Sequence, residues 1–189
     1  MIATAKPKSG RKGLKVLAID PGFSNLGITV AIADEADYHE VIQTILFSDT
    51  LSLGSQKTYR QFHKRLIPAL DTLWENYGPF DVMTAEEPTL IRGKSVISCY
   101  LWYVYGMIRA WIQTKGVDPE DLRANTPMQL KDVARLLMRR HMKTRPNGNT
   151  PNKGEIADLL VALGVPTARS SHENDATLSI IAALGKRVA

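Results

Sequence analysis

Two short apolar runs that each stop on a carboxylate constrain this chain more than anything else in it. Val16, Leu17, Ala18 and Ile19 lead into Asp20-Pro21-Gly22, and Val82, Met83, Thr84 and Ala85 lead into Glu86-Glu87. β-Branched and apolar residues closed by turn formers read as a strand and its end. An acid seldom finishes such a strand unless something offsets its desolvation. In an open α/β sheet, ligands gather outside the carboxyl ends of the strands, where chain order reverses. If the two strands are neighbours, a spacing of roughly 4.8 Å brings both carboxylates within reach of one divalent cation. Like charges that close call for a cation between them. Strand parity alone leaves Glu86 and Glu87 equally open as the second acid.

The runs around these strands complete a sheet. Residues 26–33 form a second apolar run that breaks at an acidic turn over 34–37, and a third follows over 41–47. Three strands so closely spaced read as an antiparallel meander. The period then changes. Tyr59, Phe62, Leu66, Leu70, Leu73 and Trp74 recur at helical spacing, with Pro68 as a kink or the start of a second half, and Gly78-Pro79 closes the helix. After the fourth strand the spacing predicts a long apolar helix over 94–114 and a short strand over 121–124. Thr126-Pro127 reads as an N-cap and first-turn proline before a buried stripe of Leu130, Val133, Ala134, Leu137 and Met138. A Pro-, Gly- and Asn-rich loop over 143–151 precedes helices over 153–163 and 171–184. The order β-β-β-α-β-α-β-α-α predicts an α/β fold: a mixed five-stranded sheet, antiparallel meander plus parallel crossover strands, flanked by helices.

Length and charge narrow the partners. With 189 residues and 44% hydrophobic content the chain can bury one good core, placed over 15–189, behind a basic arm over 1–14. That arm, with Lys6, Lys8, Arg11 and Lys12, is either a DNA-steering extension or a solvated tail, with a short organelle-targeting start as a further alternative. The net charge of +5 points to a polyanionic partner, nucleic acid first. A single cysteine, Cys99, excludes an intramolecular disulfide and a Cys-x-x-Cys zinc site, which suits a reducing, cytoplasmic setting. The apolar stretch 96–112 is broken by Ser98, Gly106 and Arg109 and falls short of the roughly 20 residues of a membrane span, so no membrane partner is expected.

Further residues could carry chemistry. Asp175 lies at the start of the last helix, three residues after His172 in His172-Glu173-Asn174-Asp175-Ala176, so the two can share one helical face. Acids favour a first turn in any case, which is the ordinary explanation for Asp175 and still more for Glu173, and His172 reads equally as a cap residue. Between Lys131 and Lys153 stand Lys131, Arg135, Arg139, Arg140, Lys143, Arg145 and Lys153 against one acid, Asp132. Lys131, Arg135, Arg139 and Arg140 are spaced as a helical stripe, suited to a phosphate backbone or, as the plain alternative, to solvent. Arg92-Gly93-Lys94, after the Glu86 strand, is a further candidate DNA contact. Trp102, Tyr103, Tyr105 and Trp111 make the long helix either core or part of a subunit interface.

Leu17-Ala18-Ile19-Asp20-Pro21-Gly22, followed by Asn25-Leu26-Gly27, resembles the opening motif of the RuvC family of Holliday junction resolvases, which have an RNase H-like fold. The strand 82–86 is similar to the family's apolar strand ending in a catalytic glutamate, and that resemblance selects Glu86. The segment 172–176 is similar to the family's final motif, an Asp or His three residues before Asp-Ala, which makes His172 a ligand. Gln129-Leu130-Lys131 and Asn152-Lys153 resemble its two lysine-bearing segments. The resemblance implies metal-dependent cleavage of branched DNA, four-way junctions above all, by a homodimer with two active sites, in a prokaryotic or virus-infected cytoplasm. It implies Asp20, Glu86, His172 and Asp175 as catalytic ligands of Mg²⁺ or Mn²⁺, and Lys131 at the phosphate. In that scheme Asp20 bridges two cations, which activate water and stabilise the leaving oxygen. The rivals are a non-cleaving branched-DNA-binding protein of the same fold and an ATP-binding domain of the actin and sugar-kinase type. The latter repeats its lobe, for which this chain has no room.

Overall fold

A computed structural model describes residues 13–36, 40–54, 59–89, 95–142, 150–165 and 170–185. Five strands, β1 (Leu14–Pro21), β2 (Asn25–Ala33), β3 (Ile42–Ser52), β4 (Val82–Glu86) and β5 (Arg123–Asn125), form one sheet in the order β3-β2-β1-β4-β5. The β1–β2 and β2–β3 pairs are antiparallel, and β1–β4 and β4–β5 are parallel. The predicted mixed sheet is thus the observed one. Its helices are α1 (Tyr59–Tyr77), α2 (Ser95–Thr114), α3 (Pro127–Leu137), α4 (Lys153–Ala162) and α5 (Ser171–Leu184).

Alternation along β1 splits the core in two. Leu17 and Ile19 pack with Met83 and Ala85 against α1 and α2, among Phe62, Leu66, Leu70, Ile108 and Ile112. Val16 and Ala18 point the other way, onto Ala176, Ile180 and Leu184 of α5. α5 is itself covered by α3 and α4 through Leu130, Leu137, Leu159, Leu178 and Ile181. A helix buried on both sides needs no polar stripe, which is why α5 shows little amphipathic periodicity.

Four local differences from the sequence reading have physical causes. β3 continues past Phe47 to Ser52, because Ser48 and Thr50 hydrogen-bond towards α5 while Phe47 and Leu51 pack on the α1 face. β5 begins at Arg123, since Pro119–Asp121 is spent on a 3-10 turn capped by the Asp118 side chain. α1 runs unbroken through Pro68, which is exposed, so the carbonyl it leaves unpaired at exposed Lys64 can turn to water. α3 starts at the expected Thr126 cap, completed by Gln129 as a capping box, but gives way to a π turn over Met138–Met142.

Candidate active site

The carboxyl ends of β1 and β4 lie side by side. Ile19 stands opposite Ala85, so Asp20 and Glu86 are the next residues on adjoining parallel strands. Thr84 hydrogen-bonds Ser179 of α5, and by alternation Glu86 turns to that same face. Asp20 reaches it too, with its Oδ2 2.6 Å from Nδ1 of His172. Glu87 belongs to the opposite face, where its charge helps hold the buried Tyr105 phenol of α2 above its ordinary pKa, after burial itself. The structure thereby separates two acids that strand parity left equivalent.

Two glycines let α5 come this close. A Cβ at Gly27, the β2 partner of Asp20, would sit 2.1 Å from the His172 carbonyl oxygen. A Cβ at Gly22 would lie 2.0 Å from the Asn25 carbonyl oxygen and 2.9 Å from the His172 ring. Both positions need the hydrogen that only glycine has. Ser170 caps α5 by accepting from the Glu173 amide. Glu173, 4% exposed, accepts from Thr50 Oγ1 at 2.9 Å and Ser48 Oγ at 3.2 Å, tying the start of α5 to the edge strand. Gly27 and Glu173 as positioning elements escaped the sequence reading; a glycine inside an apolar strand was the available signal for the first.

Electrostatics draw the remaining groups together. Burial, then the charges of Asp20 and Asp175, push Glu86 up to about 8, opposed by Lys131 and Lys153. Burial and Asp20 raise Asp175 to about 6, with Lys153, His172 and Lys131 pulling the other way. The hydrogen bond to Asp20 raises His172 against the effect of its burial. Three acids from β1, β4 and α5 therefore share one field with His172 and two lysines. Lys153, the first residue of α4, also places its Nζ 2.9 Å from Ser171 Oγ at the start of α5.

The donor chemistry suits a hard divalent cation: carboxylate oxygens with one imidazole. A cation among them would offset the repulsion and the desolvation that lift Glu86 and Asp175. Among the described residues, however, no three His, Cys, Asp or Glu side chains are gathered tightly enough to enclose a metal ion. Asp20 turns one oxygen onto His172, so ligation by all four requires side-chain movement.

No protein-family model and no curated protein matches the sequence. Solved structures do match. Thermus thermophilus RuvC in complex with Holliday junction substrate superposes with a TM-score of 0.66 at 19% identity, over 89% of this chain and 92% of that one. A second Thermus thermophilus RuvC structure gives 0.64 at 19% identity and the same coverage. The yeast mitochondrial Holliday junction resolvase Ydc2 gives 0.56 at 11% identity, over 94% of this chain and 82% of that one. The chain has the RuvC fold.

On this RuvC fold the basic residues fall into separate groups. Lys131 and Lys153 act on the carboxylates, lowering Glu86 and Asp175 against their burial. Arg135 folds back onto Asp132 at 2.8 Å, and exposed Arg139 and Arg140 ride on the π turn. The four do not form one α-helical stripe, because the period changes after Leu137. Arg92, Lys94, Lys143 and Arg145 lie outside the described residues, as does the arm before Gly13. The aromatics of α2 divide: Trp111 and Tyr105 are core, whereas Trp102 is 40% exposed. No helix among the described residues is long and apolar enough to cross a membrane.

Proposed function

We propose that this protein is a structure-selective endodeoxyribonuclease that resolves four-way or other branched DNA by metal-dependent phosphodiester hydrolysis. The observation that carries the reading is that Asp20 and Glu86 end adjoining parallel strands, with Asp175 of α5 in their electrostatic field and Lys131 and Lys153 acting on the same acids. Mg²⁺, or Mn²⁺ in its place, would be held by Asp20, Glu86, Asp175 and His172. Such cations, when bound, activate the attacking water and offset charge on the leaving oxygen. The chain's own residues do the rest. His172 orients Asp20 through their hydrogen bond, and the two lysines offset phosphate charge where the scissile bond must lie. The RuvC fold, and a structural neighbour described in complex with Holliday junction substrate, support branched DNA as the substrate.

Two symmetric cuts call for two active sites, so the working unit is read as a C₂ homodimer. Its contact is placed on the outer line of α2, where Val96, Cys99, Trp102, Gly106 and Ala110 form an exposed, uncharged ridge. Its setting is the compartment that holds the branched DNA, read here as a prokaryotic or virus-infected cytoplasm. Cleavage of an end-labelled synthetic four-way junction, beside linear duplex and a flap of matching sequence, tests the whole reading. Paired nicks near the crossover with Mg²⁺, absent in EDTA and in Asp20→Asn, are expected. Binding without cutting under both Mg²⁺ and Mn²⁺ would leave a branched-DNA-binding protein instead.

A further inference from the structure

The β1–β2 turn, the end of β3 and the start of α1 lie together at the same end of the sheet as Asp20. β3 runs parallel to β1 through their shared partner β2, and Leu53 N–H donates to the Ser24 carbonyl at 2.8 Å. Arg65 reaches back from α1 to the Ser52 carbonyl at 3.4 Å, and its guanidinium fills the space beside Gly54. Phe23, three residues after Asp20, packs edge-on against Tyr100, and Tyr100 in turn meets Tyr59, the first residue of α1. A continuous chain of contacts thus runs from the acidic turn to the start of this helix.

From there the helix presents cations to solvent. Arg60, His63, Lys64 and Arg65 are all exposed, beside a Tyr59 that remains 49% exposed on its aromatic support. Among the described residues no salt bridge engages Arg60 or Lys64, and their spacing of four puts them on one helical face. Core packing does not explain them, since the buried stripe of α1 is Phe62, Leu66, Leu70 and Leu73. Lys131 and Lys153 stand at the same end of the sheet but on its other face, with α3 to α5.

We infer that the first turns of α1 are a second DNA-backbone contact, with Arg60 and Lys64 as phosphate ligands and Tyr59 as their neighbour at the sheet end. DNA then crosses the sheet end from α1 to the lysines of α3 and α4, and the carboxylates sit beneath the crossing. Contacts of this kind position the duplex without reading its sequence. The inference rests on the DNA-cleaving reading above and adds a contact surface to it.

Equilibrium binding of a fluorescent four-way junction in EDTA, measured over a range of KCl, is the test. Each phosphate contact contributes about 0.9 to the slope of log affinity against log salt. Arg60→Gln/Lys64→Gln should lower that slope by about 1.8, and the charge-preserving Lys64→Arg should keep it. An unchanged thermal melt guards against misfolding, and both side chains are exposed. Wild-type binding with the same slope in the double variant overturns the α1 contact while leaving the nuclease reading intact. A wild-type chain that ignores junction DNA overturns both.

Discussion

The two faces of the sheet are built from different chemistry. On the α1 and α2 face, Leu17, Ile19, Leu66, Leu70, Ile108 and Trp111 make a large apolar cluster enriched in aromatic contacts. Its polar ties, such as Trp111 Nε1 and Lys115 Nζ on Asp71, lie at the margin. On the α5 face alanines and hydroxylated residues mix with Val16, Ile180 and Leu184, and polar groups are buried with them. Thr29 bonds Thr177 at 3.0 Å, and Asn125 donates to Thr84 and Ser179 at 2.8 and 3.0 Å. Burying apolar area is non-directional and tolerates repacking, whereas buried hydrogen bonds fix angle and register. One face thus supplies most of the stability and the other sets where Asp175 and His172 stand.

Variants on the two faces should therefore fail differently. Leu66→Ala, on the apolar face, should cost roughly 2–5 kcal/mol by leaving a cavity. Below its melting temperature it should still cut a junction, as denaturant melts and a cleavage assay on the same sample would show. Gly27→Ala, on the other face, should cost less, about 1–3 kcal/mol of overpacking. It should nonetheless abolish most cleavage, because the new methyl meets the His172 backbone and displaces the start of α5. A Gly27→Ala chain with wild-type rate would erase the contrast between the faces. Glu173→Gln should be milder still, near 1 kcal/mol, since the amide oxygen can accept from one of Thr50 and Ser48 while its NH2 donates to the other, where the carboxylate accepted from both. Glu173→Ala, which leaves Ser48 and Thr50 only their bonds to Thr29 and Ser170, should slow cleavage more than Glu173→Gln does.

How much of this could be read in the sequence follows the same division. The apolar face was legible because its helices carry a plain period: Phe62, Leu66, Leu70 and Leu73 on α1 are the stripe that the spacing predicts. Strand ends at Asp20 and Glu86, and the Thr126 cap, were legible because an acid or a hydroxyl interrupts an apolar run. The α5 face was harder. A helix buried all round has no stripe, and the hydroxyls of β3 look like a loop until Glu173 is placed against them. Distinguishing Glu86 from Glu87 needed either the resemblance or the third dimension, where Thr84 and Ser179 fix which way the strand faces. That the basic run read on α3 continues onto a π turn could not be inferred from charge spacing.

The smallest effect is one of pH, and it belongs to the polar face alone. In the metal-free chain Glu86 titrates near 8 instead of 4.5, and Asp175 near 6 instead of 3.8. The native state then holds protons that the unfolded chain has released, so these groups favour folding fully below their ordinary values and lose that contribution as pH rises through about 6 and then about 8. His172, raised by Asp20, acts in the same direction, because its charged form is favoured in the fold and is lost as pH climbs. The melting temperature in EDTA should accordingly fall between mildly acidic and mildly alkaline buffer. Glu86→Gln should flatten the upper part of that fall, and Leu66→Ala should lower the curve without changing its shape. Mg²⁺ prefers the ionised carboxylates, so its stabilising shift should grow towards the alkaline end. Equal shifts at both ends would mean that the cation does not bind where Glu86 and Asp175 stand.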